Sequence, residues 1–146
     1  MTNLQTAKTM YASFESGDMD TWRTLVCPDC VFTVSGNLPI SGTFNGPDDI
    51  IENCFSAWAE HYSDLSFADV KFWECENVVF AEVNVVGGGL PDGGLKEMHR
   101  ITIEDGQITE FQDYFDSAPY VAILAQNKER TSVLETHSAL CGPIGY

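Results

Sequence analysis

The strongest constraint on this chain lies in its second half, where four segments alternate apolar with polar residues: SFADVKFWE (66–74), NVVFAEVNVV (77–86), EMHRITIE (97–104) and QITEFQDYF (107–115). Successive side chains of an extended chain point to opposite faces, so each segment has one face to bury. The breaks between them are Glu76-Asn77, the glycine-rich GGGLPDGG and Asp105-Gly106. Such breaks turn the chain back on itself, which predicts a four-stranded antiparallel meander. A meander with one apolar face must be covered by something else in the chain.

The first half supplies the cover. Leu4, Ala7, Met10, Tyr11 and Phe14 recur at helical spacing, and Ser16-Gly17-Asp18 supplies a glycine stop followed by a cap. A second helix is predicted over Met19–Val26, and CPDC (27–30) reads as a tight turn before the extended run VFTVSG (31–36). NLPISGTFNG (37–46) reads as a loop or a brief hairpin. Pro47, with Asp48 and Asp49, opens a third helix that buries Ile50, Ile51, Cys54, Phe55, Trp58 and Tyr62. After the meander, Asp116 caps a final helix over SAPYVAIL (117–124). Helices followed by a long meander predict an α+β fold: a cone-shaped, curved antiparallel sheet wrapped around about three N-terminal helices. Its wide end is a natural small-molecule pocket. Residues 1–125 form this single domain, and 126–146 are a C-terminal extension that lengthens the last helix, embraces a partner subunit or is loose.

A length of 146 residues with 44% hydrophobic content suits one domain with its own core. Asp and Glu number 22 against 7 Lys plus Arg, a formal charge of −15, which argues against nucleic acid or an anionic membrane as partner. The first residues show no basic segment followed by an apolar run, and no stretch approaches the roughly 18 apolar residues of a membrane span. A cytoplasmic location is therefore expected. Five cysteines at irregular spacing fit a reducing compartment, and scattered histidines give CPDC no second ligand pair. No metal and no cofactor are predicted.

The order of elements, together with FESGDMDTWRTL, PDCVFTVSG, SGTFNGPDDI and EDGQITEFQDYFD, resembles the nuclear transport factor 2-like superfamily over about residues 4–124. Within it the chain is most similar to SnoaL-like polyketide cyclases. The resemblance implies a catalytic aspartate at Asp113 and an active-site histidine at His99, with a homodimer formed through the outer sheet face. Limonene epoxide hydrolase-like enzymes also place an aspartate at the position of Asp113. Their other partners fall on the strand where this chain has Glu82 and Asn84.

Strand parity also singles out Asp113, because it shares a face with Phe111 and Phe115. A carboxylate on an apolar face must be protonated, paired or hydrogen-bonded. With Asp105 and Gly106 as the whole turn, Glu104 opposes Gln107, and Asp113 falls opposite Met98 while His99 looks to the other side. One bulged residue would bring Asp113 opposite His99, and the apolar partners Ile101 and Ile103 favour the bulged version. Asp113 could then take a proton from carbon next to a carbonyl while His99 donates to the oxygen that gains charge. Tyr11, Phe14, Trp58, Phe111 and Phe115 are candidate pocket walls. The leading expectation is a cofactor-independent cyclase, isomerase or lyase acting on a small hydrophobic carbonyl compound. The alternatives are an epoxide hydrolase using Glu82 and Asn84, and a noncatalytic small-molecule-binding or dimeric scaffold protein.

Overall fold

The computed structural model describes the backbone of residues 1–141 and the side chains as far as residue 130. In chain order the elements are α1 (Asn3–Ser16), α2 (Met19–Leu25), β1 (Val26–Val34), β2 (Gly42–Asn45), α3 (Gly46–Asp49), a π-helical stretch (Ile50–Phe55), α4 (Ser56–His61), β3 (Leu65–Cys75), β4 (Val78–Gly87), β5 (Leu95–Glu104), β6 (Gln107–Tyr114) and α5 (Ala118–Cys141). Thr2 and Gln5 make a reciprocal capping box that starts α1, and Gly17 in the left-handed conformation ends it. Asp18 caps α2, and Asp116 accepts from the Ala118 amide at 3.0 Å to start α5.

The expected α+β architecture is present as one six-stranded sheet in the order β2-β1-β6-β5-β4-β3. The predicted meander is its β3–β6 portion. Asp105 and Gly106 both have positive φ, the geometry that a two-residue turn between right-twisted strands demands. The sheet is not wholly antiparallel, because β1 pairs in parallel with β6. This corrects the all-antiparallel expectation. The chain between β1 and β6 runs through β2, the later helices and β3–β5, a connection long enough to bring β6 alongside β1 in parallel. CPDC is likewise part of β1 rather than a turn before it. The ladder to β6 jumps from Val26↔Ile108 to Val31↔Glu110, so the chain around Pro28, which has no amide hydrogen to give, bows out of register. The third helix is interrupted by a π stretch. The brief hairpin is the short strand β2, paired with β1.

Two bulges curl the meander. One lies in β3 between Ala68 and Lys71, where Asp69 adopts φ 50°, and the other in β6 opposite Thr102/Ile103. A bulge increases local twist and bends the strand that carries it. The concave face buries Val79, Ala81, Val83 and Val85 of β4 and Ile101 and Ile103 of β5 against Ala7, Met10, Trp22, Leu25 and Ile50 from the helices. Helix α5 continues past residue 125, where the extension was expected to begin, and residues 142–146 of that extension lie outside the described residues. No described helix is long and apolar enough to cross a membrane.

Candidate active site

The bulge in β6 decides the site. Gln107 and Ile108 pair with Glu104 and Ile103 as a two-residue turn requires, but Glu110 pairs with Thr102, leaving Thr109 as the extra residue. Every later partner moves by one, so Asp113 lies directly opposite His99. The same insertion puts Ile108 on the buried face with Phe111 and Asp113, although unbroken alternation would set Ile108 on the other side. Asp113 is anchored at its backbone, where its carbonyl accepts from Ser35 Oγ at 2.6 Å and Gln112 Nε2 at 3.1 Å. Its side chain is left to face the interior.

Asp113, His99 and Glu97 are buried together, at 8%, 2% and 5% exposure. His99 Nε2 lies 3.2 Å from Asp113 Oδ1, yet the two are not aligned as a hydrogen bond, and both atoms are buried without a partner. The missing hydrogen bonds leave both atoms free for a ligand. On the other side of the ring, Tyr11 Oη is 2.6 Å from His99 Nδ1. Burial, and then the charges of Asp113 and Glu97, push the Tyr11 hydroxyl well above the usual phenol range. Tyr11 therefore keeps its proton, and the tautomer in which Tyr11 donates to Nδ1 carries the imidazole proton on Nε2, the cavity side.

Glu97 is the residue that the sequence reading missed. Tyr120 at the start of α5 donates to Glu97 Oε2 at 2.8 Å, and Glu97 in turn is within hydrogen-bonding reach of Asp113. Burial, followed by the charge of Asp113, pushes the Glu97 carboxyl up to about 9. The signal was present: Glu97 precedes His99 by two residues, so strand parity puts both on one face. Native Glu97 keeps a proton that the unfolded chain releases near pH 4.5, so its contribution to stability is present in mild acid and is lost as the pH rises towards 9. Unfolding free energies from urea titrations between about pH 5 and pH 9 should fall by up to about 1.4 kcal/mol per pH unit from this group. Glu97→Gln should flatten that slope, and an equal slope in both proteins would refute the assignment.

These groups open into a cavity of about 80 Å³ lined by Met10, Phe14, Trp22, Phe55, Trp58, Phe67 and Phe111 among other apolar side chains. Tyr11, Glu97, His99 and Asp113 are its hydrogen-bonding residues, and no Lys or Arg is among the lining residues. The π-helical stretch brings in Cys54 and Phe55, and burial pushes the Cys54 thiol up to about 12. Of the nine candidate site residues, Tyr11, Phe14, Trp58, His99, Phe111 and Asp113 line this cavity. The structure does not bring in the other three candidates. Glu82 and Asn84 alternate with the buried valines of β4 and stand on the opposite face. There Glu82 accepts from Lys96 Nζ at 3.1 Å and Asn84 donates to the Gly93 carbonyl at 3.0 Å. Phe115 lies beyond the end of β6 and packs edge-on against Tyr120. Epoxide hydrolysis through Glu82 and Asn84 is therefore without its partners.

One nitrogen and two carboxylates within 4.8 Å of one another could also hold a metal ion by donor type.

Comparison with known proteins agrees with the architecture. An NTF2-like protein of unknown function from Burkholderia pseudomallei superposes with a TM-score of 0.73 at 23% identity, covering 84% of this chain and 98% of that one. A protein from Sinorhizobium meliloti that carries the provisional name polyketide cyclase superposes at 0.64 with 15% identity, covering 78% of this chain and 100% of its own. TerC, co-crystallised with polyporic acid, superposes at 0.67 with 25% identity, covering 83% and 97%. Among curated proteins no relative matches the sequence. The pattern of the SnoaL-like domain matches residues 7–111, most of the chain, and the protein belongs to that family.

Proposed function

We propose that the cavity is the active site of a cofactor-independent acid/base enzyme, a cyclase, isomerase or lyase acting on a small hydrophobic carbonyl compound. The observation that carries this reading is the pair of buried, unpartnered atoms His99 Nε2 and Asp113 Oδ1, 3.2 Å apart in an aromatic cavity. Asp113 offers an oxygen that can take a proton from carbon next to the carbonyl. His99, with its proton held on Nε2 by Tyr11, offers a donor for the oxygen that becomes negative. The aromatic walls exclude water and orient a flat, apolar substrate. Co-crystallisation of the relative TerC with polyporic acid supports a small organic occupant for this fold. The same reading includes a homodimer formed through the outer sheet face, checked by sedimentation equilibrium.

The experiment is deuterium incorporation, followed by proton NMR, at the carbon next to the carbonyl of a panel of small hydrophobic ketones in heavy water. Exchange is expected with at least one of them. If no ketone exchanges while several bind, the cavity is a binding pocket and the protein is a noncatalytic member of its family.

A further inference from the structure

Two carboxyl groups in contact within an apolar cavity have a charge problem. Glu97 and Asp113 are each more than nine-tenths buried, lie within reach of one another, and face no Lys or Arg across the cavity. Two adjacent carboxylates cannot both keep a full charge under those conditions, so one proton resides at the site before any substrate arrives. The groups that face the pair are Tyr11 from α1, Cys54 from the π stretch, His99 from β5 and Tyr120 from α5, with Tyr62 behind Tyr120. Among these, Tyr120 donates to Glu97 and Tyr11 is hydrogen-bonded to His99 Nδ1. Neither neutralises a carboxylate outright.

We propose that Glu97 is a second catalytic acid, that it shares one proton with Asp113, and that the site removes water from small hydrophobic β-hydroxy carbonyl compounds. This rests on the acid/base reading above and narrows it. An isomerisation that moves a proton from carbon to carbon needs one base, which returns what it took. A site that already holds a proton on a second carboxyl is suited to a transfer from carbon to oxygen. Ring closure of a long chain is also such a transfer, but a cavity of about 80 Å³ favours the smaller substrate.

The step balances without an outside reagent. Asp113 takes the proton from the carbon next to the carbonyl, and the electron pair moves onto the carbonyl oxygen, where His99 Nε2–H meets it. As that pair returns, the bond from the β-carbon to its hydroxyl breaks. The departing oxygen takes the bond's electrons and the proton of Glu97, and leaves as water. The products are an α,β-unsaturated carbonyl compound and water. Asp113 is left with the proton and Glu97 with the charge, and the proton crosses directly between them to restore the site. Acid and base stand side by side on β5 and β6, so the hydrogen and hydroxyl leave from one face of the substrate.

The test uses 3-hydroxycyclohexanone and open-chain aryl β-hydroxy ketones, with enone formation followed by absorbance and α-exchange of the parent ketones measured in parallel. The wild-type protein should form enone, and its rate should fall as the pH rises through about 9, where Glu97 loses its proton. Glu97→Gln keeps an oxygen for Tyr120 but has no proton to give, so elimination should drop about 100-fold further than exchange does, and the limb near pH 9 should vanish. Glu97→Asp, which can still ionise, should recover part of the rate. Exchange without elimination by the wild-type protein, or undiminished elimination by Glu97→Gln, would overturn the proposal while leaving the acid/base reading in place. Absence of both reactions overturns both. Binding of one equivalent of Zn²⁺ or Mn²⁺ by the wild-type protein and none by Glu97→Gln would show that a cation, not a proton, bridges the carboxylates, and would also overturn it.

Discussion

Asp113→Asn is expected to lower turnover of any carbonyl substrate of this cavity by about 10²–10⁴-fold, the usual contribution of a positioned acid/base group. The amide matches the carboxylate in size, and the backbone bonds from Ser35 and Gln112 to residue 113 do not involve the side chain. The fold should therefore survive and KM should move far less than kcat. A second consequence separates loss of chemistry from loss of structure. The charge of Asp113 is one of the causes that raise Glu97, so its removal should bring the Glu97 carboxyl back towards the ordinary range. The pH dependence of stability should then become shallower in Asp113→Asn, as in Glu97→Gln. Unchanged turnover in the variant would remove Asp113 from the mechanism.

Trp22→Ala should destabilise the fold by about 3–5 kcal/mol. The indole is fully buried and meets Phe55 edge-on at 5.0 Å and Phe32 at 5.7 Å between ring centres. Phe32 in turn stacks on Phe111 at 4.6 Å, which links this cluster to the strand that carries Asp113. Removing the indole leaves a void that this ring framework cannot refill without tilting the wall of the cavity. For a chain of this length the loss corresponds to a fall in Tm of about 10 °C. Trp22→Phe, which keeps an aromatic edge, should cost less than half as much. Chemical denaturation of the three proteins, with unchanged m-values, checks this, and a loss below about 1 kcal/mol for Trp22→Ala would mean that the cavity collapses freely around the gap.

Particular residues show which parts of the site could be read in advance. Asp113 was visible because a carboxylate among phenylalanines breaks a strand pattern. His99 was singled out by likeness to the cyclases, and its parity with Ile101 and Ile103 argued only for the register that faces it to Asp113. Glu97 obeyed the same parity and was overlooked at the polar-looking end of β5, where the apolar run is already over. Glu82 and Asn84 were read onto the site by likeness to other enzymes, whereas alternation with Val83 and Val85 already set them on the opposite face. Tyr120 had no sequence signal, because nothing local to α5 tells which strand its hydroxyl reaches.

What the sequence determined by itself are the features whose energetics are confined to a few neighbouring residues: the helix caps at Asp18 and Asp116, the Asp105-Gly106 turn, the alternation of the meander strands, and hence the α+β architecture. The tertiary structure decided the rest: the parallel seating of β1 on β6, the one-residue bulge at Thr109, and the convergence of Tyr11, Glu97, His99, Asp113 and Tyr120. The physical reason is that a bulge costs little locally and is chosen by the burial it permits. The two-residue turn holds Gln107 and Ile108 in place, and only burial of Ile108, Phe111 and Asp113 on one face requires the strand to take up Thr109 as an extra residue. The protonation of Glu97 follows from that packing, because desolvation and a neighbouring charge exist only once β5 and β6 are paired and α5 is docked over them.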